Sequence, residues 1–263
     1  MVFSNDALQN EHIVVTGATG GIGYETAILV AKLGASVTVT GRNEKKLKLL
    51  GEELRKHTEN YFVKRTDIAV EEERQGIVST AEEKLGPITG LVNAAGIAGN
   101  YTVEEVTAEQ LHDFMELNYV SLVMLSKLVY RSMKANKKGA IVNVSSLSGL
   151  RGTYANTAYS ASKFAVIGFT QSFALEAIEY GVRVNAVAPG IVDTEMGRAV
   201  IERKAAQQGR TYSEQKQRTE DTYPTQKLIT PQEVARTIVY LLTDATKSIV
   251  GETVKISSGS LMR

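Results

Sequence analysis

The run HIVVTGATGGIG, His12 to Gly23, decides the fold. Its first five residues are β-favouring around the apolar centre Ile13-Val14-Val15, and glycines follow at positions 17, 20, 21 and 23. Beyond them Ala27, Ile28, Ala31 and Leu33 stand at helical spacing, so the stretch reads as strand, glycine turn and helix. The spacing departs from G-x-G-x-x-G, but the physics of the turn is the same. Small residues let backbone N–H groups approach a pyrophosphate, and the N-terminus of the following helix favours its charge. The plainer alternative is a tight βα turn without a ligand.

The same alternation continues along the chain. Strands are expected at HIVVT (12–16), SVTVT (36–40), YFVKR (61–65), LVNA (91–94), AIVNVS (140–145), VRVNAV (182–187) and TVKIS (253–257). Helical patterns lie between most of them, which predicts an α/β, doubly wound Rossmann fold with a seven-stranded parallel sheet and helices on both faces. Helix starts are marked by Thr107-Ala-Glu-Gln110, a capping box, and by Thr230-Pro-Gln-Glu233, which adds proline at the first helical position. No linker divides the chain, so 1–263 is expected to be a single domain. The polar segment 195–227 is too long for an ordinary connection and is expected to be a substrate lid or small helical insertion.

Composition excludes several chemistries. There is no cysteine, which removes disulfides, thiolate zinc sites and thiol nucleophiles. His12, His57 and His112 are scattered without ligand spacing, so no metal site is expected, and no G-x-S-x-G elbow occurs. A formal net charge of +1 gives no reason to expect nucleic acid or an anionic membrane as partner. The N-terminus lacks a basic segment followed by an apolar run, and a cytoplasmic protein is expected. The basic runs 43–48 and 134–138 read as solvated faces.

Ligands of doubly wound sheets bind at the carboxyl ends of the strands. Asp67, Asn93, Gly96, Ser145, Ser146, Pro189 and Gly190 collect there. At the end of the second strand Gly41 clears space and Arg42 supplies a fork suited to a 2′-phosphate, which favours NADP over NAD; Glu44 keeps an acid nearby. Four tyrosines stand four residues before a lysine: Tyr130/Lys134, Tyr159/Lys163, Tyr212/Lys216 and Tyr223/Lys227. Only Tyr159/Lys163 follows a polar strand end at the start of a helix, where positions i and i+4 share a face. Tyr130/Lys134 sits late in its helix, Tyr212/Lys216 lies in the polar insertion, and Pro224 disfavours helix after Tyr223.

TGATGGIG, NAAG (93–96), Asn118, Ser146, YSASK (159–163) and PGIVDT (189–194), in this order, resemble the short-chain dehydrogenase/reductase family over essentially the whole chain. The resemblance implies Asn118, Ser146, Tyr159 and Lys163 as catalytic residues. Tyr159 would exchange a proton with the substrate oxygen, and Lys163 would lower its pKa from about 10 by stabilising the phenolate and would also bind the nicotinamide ribose. Ser146 would position the substrate oxygen, and Asn118 would hold a water connecting Lys163 to solvent. For NADP(H), the resemblance implies Gly17, Thr19, Gly21, Ile22 and Gly23 at the pyrophosphate and Arg42 at the 2′-phosphate. Asp67 and Ile68 would flank the adenine, and Asn93, Ala94 and Gly96 would border the adenosine ribose. Pro189, Gly190, Val192 and Thr194 would lie at the nicotinamide end, with Tyr159 and Lys163.

The implied reaction is hydride transfer between NADPH and a ketone or secondary alcohol. A 3-oxoacyl-[acyl-carrier-protein] substrate competes with sugars, polyols, steroids or xenobiotic ketones, and a non-catalytic NADPH-sensing regulator is the alternative of another class. Acyl-carrier reductases of the family often carry a basic residue where this chain has Tyr180, although Lys137 and Lys138 offer charge for an acidic carrier. Ser257-Ser258-Gly259 replaces the family's usual Asp-Gly-Gly. The segment AYSASKFAVIGFTQSFALEAI is apolar around much of its circumference, which predicts burial against another subunit and, with the resemblance, a homotetramer.

Overall fold

The computed structural model describes residues 3–262. The chain opens with β1 (His12–Val15), α1 (Gly21–Lys32), β2 (Ser36–Gly41), α2 (Glu44–Leu54), β3 (Tyr61–Arg65) and α3 (Glu71–Leu85). It then crosses the sheet to β4 (Gly90–Asn93), followed by α4 (Ala108–Met115), a π-helical turn (Glu116–Val120) and α5 (Ser121–Asn136). The second half runs β5 (Gly139–Val144), α6 (Thr157–Ile178), β6 (Val182–Pro189), α7 (Glu195–Gln207), α8 (Tyr212–Asp221), α9 (Pro231–Leu242) and β7 (Thr253–Ile256). The described strands form one sheet in the order β3-β2-β1-β4-β5-β6-β7, and every pairing is parallel. The seven strands stand where the sequence places them, within about two residues at each end.

Alternation along the strands sorts the core into two layers. Ile13, Val15, Val37, Val39 and Val142 face α1, α2 and α9, meeting Ala27, Leu50 and Ile238. Val14, Leu91, Ile141 and Val184 face the other way, onto Ile77 of α3, Val129 of α5 and Phe173 of α6. Each such buried aliphatic side chain contributes about 1.5–3 kcal/mol by leaving water, which is what fixes helices on both faces.

Because the chain leaves β1 toward β2 and later crosses back to β4, the strand order reverses between β1 and β4 and opens a crevice at their carboxyl ends. The glycine turn after β1 sits at that point. Gly17 takes a left-handed φ of 63°, and a Cβ there would lie 2.7 Å from the backbone of Ala94 beyond β4. Thr16 ties the two sides of the crevice together, its Oγ1 accepting from the N–H groups of Ala94 (3.1 Å) and Ala95 (3.2 Å).

The segment 195–227 is helical, carrying α7 and α8, each started by a threonine side-chain cap. Its two roots are joined by a parallel bridge between Val192 and Ile229, where the Asp193 N–H donates to the Ile229 carbonyl at 2.8 Å. The expected capping boxes at Thr107 and Thr230 are both formed.

Candidate active site

A cleft of about 550 Å³ runs along the carboxyl ends of β1, β2, β4, β5 and β6. At its floor, α1 starts from Gly20 with no capping side chain and no acid in its first turn. Its first helical bond runs from the Tyr24 N–H to the Gly20 carbonyl, so the N–H groups of Gly21, Ile22 and Gly23 precede the ladder. An uncapped helix start facing a cleft suits an anion. Two of the glycines also serve the packing of the chain on itself. A Cβ at Gly21 would lie 2.4 Å from Thr194 Cγ2, and one at Gly23 would lie 2.4 Å from the Gly17 carbonyl oxygen, so both let chain segments close on one another.

At the far end, Gly41, Arg42, Asn43 and Lys46 line the wall. A Cβ at Gly41 would come within 2.9 Å of Thr19 Oγ1, so the acid an NAD site would place here has no room without moving Thr19. Arg42 is exposed, and among the described residues its side chain makes no hydrogen bond or salt bridge. Asn43 caps α2 by accepting from the Lys46 N–H at 3.0 Å. Lys46 is not on a freely solvated face: its ammonium donates to both carboxylate oxygens of Glu195, at 2.6 and 2.5 Å, from across the cleft mouth. That contact holds the Glu195 carboxyl below the usual carboxylate range. Asp67 and Ile68 line the same end.

The reactive end is built on α6. Tyr159 lies in its first turn, and Lys163 follows one turn later on the same face. Lys163 is 5% exposed, donates to the Val144 carbonyl at 3.0 Å and stands 5.8 Å from the centre of the Tyr159 ring. Ser146 lines the cleft beside them at the end of β5, its Oγ accepting from the Ser148 N–H at 3.1 Å. A Cβ on Gly96 would lie 3.5 Å from the Lys163 ammonium, so the missing side chain keeps the approach to Lys163 open.

The electrostatics differ from expectation. Burial holds the Tyr159 phenol above its ordinary value, a hydrogen bond with Ser146 acting against it. Burial also pulls Lys163 down to about 8. The net shift of Tyr159 is upward and not downward, because desolvation disfavours charge on both groups and the Lys163 ammonium is directed at a backbone carbonyl.

Two predicted residues stand apart from the cleft wall. The Asn93 side chain lies on the sheet face covered by α5, donating to Ser126 Oγ at 3.0 Å and Asn143 Oδ1 at 2.9 Å; Ala94 and Gly96 border the cleft instead. Asn118 is fully buried in the π-helical turn. Its Oδ1 accepts from the Ile97 N–H at 2.8 Å, and its Nδ2 donates to the Ile97 carbonyl at 3.1 Å and to Ser162 Oγ at 3.0 Å. Those bonds occupy the Asn118 side chain and clamp α6 to the loop after β4. The other predicted residues, Gly17, Thr19, Gly21, Ile22, Gly23, Arg42, Asp67, Ile68, Ala94, Gly96, Ser146, Tyr159, Lys163, Pro189, Gly190, Val192 and Thr194, all line the cleft.

The sequence reading missed Lys46, Ile97, Asn156, Glu195 and Met196, which also line it. Lys46 carried a local signal, four residues after Arg42 at a helix start. Lys137 and Lys138 do not suit a carrier delivering substrate to the cleft. They precede β5, at the opposite end of the strands, where Lys138 pairs with Glu11 at 2.5 Å. The rival Tyr/Lys pairs are occupied elsewhere. Lys134 lies 3.8 Å from the centre of the Tyr180 ring, Lys216 pairs with Glu220 at 3.7 Å, and the Tyr223 hydroxyl accepts from the Ile191 N–H at 3.1 Å.

The family model for short chain dehydrogenase matches residues 11–205. The chain is 32% identical over 255 residues to the 3-oxoacyl-[acyl-carrier-protein] reductase FabG of Vibrio harveyi, covering 97% of this chain and 99% of that one. The corresponding reductase of Rickettsia felis is 31% identical over 249 residues, covering 95% and 96%. Among solved structures, a variant of actinorhodin polyketide ketoreductase with NADPH superposes with a TM-score of 0.92 at 32% identity, covering 95% of this chain and 97% of that one. Levodione reductase, at 23% identity and a TM-score of 0.91 over 96% and 98% of the two chains, shares the fold.

Proposed function

The chain belongs to the short chain dehydrogenase family, and from that premise we propose that it is an NADPH-dependent reductase of ketones carried on acyl thioesters. The observation that carries this reading is the single cleft holding the uncapped start of α1, the free Arg42 and the Ser146, Tyr159, Lys163 group. The acyl-thioester class rests on the relatives, which are named as 3-oxoacyl-carrier and polyketide ketoreductases.

The residues present fit a dinucleotide. The α1 N–H groups would hold its pyrophosphate, Arg42 its 2′-phosphate, Asp67 and Ile68 its adenine, and Lys163 the ribose next to the nicotinamide. When bound, the nicotinamide supplies the hydride for reduction. Ser146 donates a hydrogen bond to the substrate carbonyl oxygen and fixes its position. Tyr159, a phenol that burial holds above its ordinary value, gives its proton to that oxygen as negative charge develops there. Lys163, mostly charged below about pH 8, stabilises the phenolate left behind. Asn118 and Ser162 hold α6 in register with the loop after β4.

We read 195–227 as the lid that covers the substrate, anchored by the Val192–Ile229 bridge, with Met196 and Val200 presented to the cleft. Phe164 and Leu175, 46% and 72% exposed on α6, supply the apolar face for a homotetramer. Among the described residues no helix is long and apolar enough to cross a membrane.

The test is NADPH consumption with a panel containing a 3-oxoacyl thioester, a diketone, a steroid ketone and a sugar. Fastest turnover of the thioester supports the assignment. Turnover of another ketone alone moves the substrate class, and no turnover of any member contradicts the reading.

A further inference from the structure

We propose that Lys46 is a second ligand of the cofactor 2′-phosphate, held in reserve by Glu195 until the cofactor binds. The inference rests on the NADPH reading above and concerns how that end of the cleft selects it. Arg42, Asn43 and Lys46 share the first turn around the start of α2, and all three line the cleft. Arg42 has no side-chain partner among the described residues, whereas Lys46 is bound by both oxygens of Glu195. Glu195 is the first residue of α7, directly after the capping Thr194, so one ion pair joins the cofactor end of the cleft to the root of the lid.

The pair is poised to exchange. Lys46 and Glu195 side chains are 39% and 82% exposed, and ion pairs so open to water hold weakly. A phosphate group carries more negative charge than a carboxylate and offers three acceptor oxygens, so it outcompetes Glu195 for the ammonium. Once Lys46 has turned to the phosphate, the Glu195 carboxylate faces a like charge, which opposes NADPH binding and favours release of the α7 root. NADH has no 2′-phosphate and leaves the pair intact. The two partners of one ion pair therefore have opposite effects on NADPH affinity and none on NADH affinity, a signature that a merely structural salt bridge does not give.

The experiment is calorimetric titration of NADPH and NADH into the full chain and into Lys46→Met and Glu195→Gln. Lys46→Met is expected to raise the NADPH Kd roughly tenfold, as for one charge-assisted contact. Glu195→Gln is expected to lower it about threefold, the scale of one exposed charge pair. The NADH Kd stays within about twofold in both. A Lys46→Met variant with unchanged NADPH affinity, or with equal loss for NADH, overturns the inference, as does a Glu195→Gln variant that binds NADPH no better. A wild-type chain that binds neither dinucleotide removes the NADPH reading itself, and the inference with it.

Discussion

The proposed function gives Arg42 and Lys163 separable contributions, one to cofactor choice and one to the proton step. Removing the Arg42 fork by Arg42→Ala should raise the NADPH Michaelis constant by about tenfold to a hundredfold and leave NADH nearly unchanged. An equal effect on both cofactors contradicts a 2′-phosphate role. For Lys163 the sign follows from its pKa of about 8: the ammonium is present below that pH and is lost above it. Ketone reduction should therefore fall as pH rises through about 8, because the phenolate-stabilising charge is lost while the Tyr159 phenol, held above its ordinary value, stays protonated. A rate that keeps rising toward pH 10 would contradict the assignment. Ser146, Tyr159 and Lys163 were legible in the sequence because each lies in a short motif at a strand end or helix start. The orientation of Asn93 and Asn118 was not, since it depends on Ser126, Asn143, Ile97 and Ser162, which long-range packing brings together. Lys46 was read as a solvated lysine because its partner lies 149 residues away.

At the scale of elements, α4 reaches the reactive end through an aromatic contact that no motif announced. Phe114, 4% exposed, meets the Tyr159 ring edge-on with centroids 6.3 Å apart and the Tyr101 ring at 6.5 Å. Such pairs contribute about 0.5–1.5 kcal/mol beyond their buried area. Phe114 also helps to desolvate the phenol that burial holds above its ordinary pKa. Phe114→Leu should reduce kcat about threefold to tenfold and leave NADPH affinity unchanged. An unchanged kcat would make Phe114 a packing residue only. The strands were readable because their apolar β-favouring runs are local, and α7 and α8 were anticipated as a lid or small helical insertion over 195–227 without individual bounds. Their capping threonines, Thr194 and Thr211, were the overlooked signal.

For the whole molecule, stability at low pH and assembly follow from two features outside the cleft. His12 is buried at the start of β1, its Nδ1 paired with the Gly86 carbonyl and its Nε2 with Thr38 Oγ1, each at 2.8 Å. Burial lowers its pKa below 6.5, partly opposed by the Gly86 carbonyl and Glu82. The unfolded chain thus binds a proton at His12 before the folded one does. This contribution to stability is fully present above about pH 6.5 and is lost as pH falls below it, by up to about 1.4 kcal/mol per pH unit. Urea unfolding of wild type and His12→Gln at pH 7.5 and 5.5 should show the larger loss in the wild type. The proposed tetramer would rest on the apolar outer face of α6, where Leu175→Glu should yield smaller species by sedimentation. A wild-type monomer at micromolar concentration would remove the tetramer proposal.

The central claim is that Tyr159 is the proton donor of an NADPH-dependent ketone reduction. The most direct test compares wild type and Tyr159→Phe for NADPH affinity by calorimetry and for ketone-dependent NADPH oxidation, using whichever panel member turns over fastest. Turnover should fall by about a thousandfold or more with the NADPH Kd unchanged. Undiminished turnover in Tyr159→Phe would contradict it.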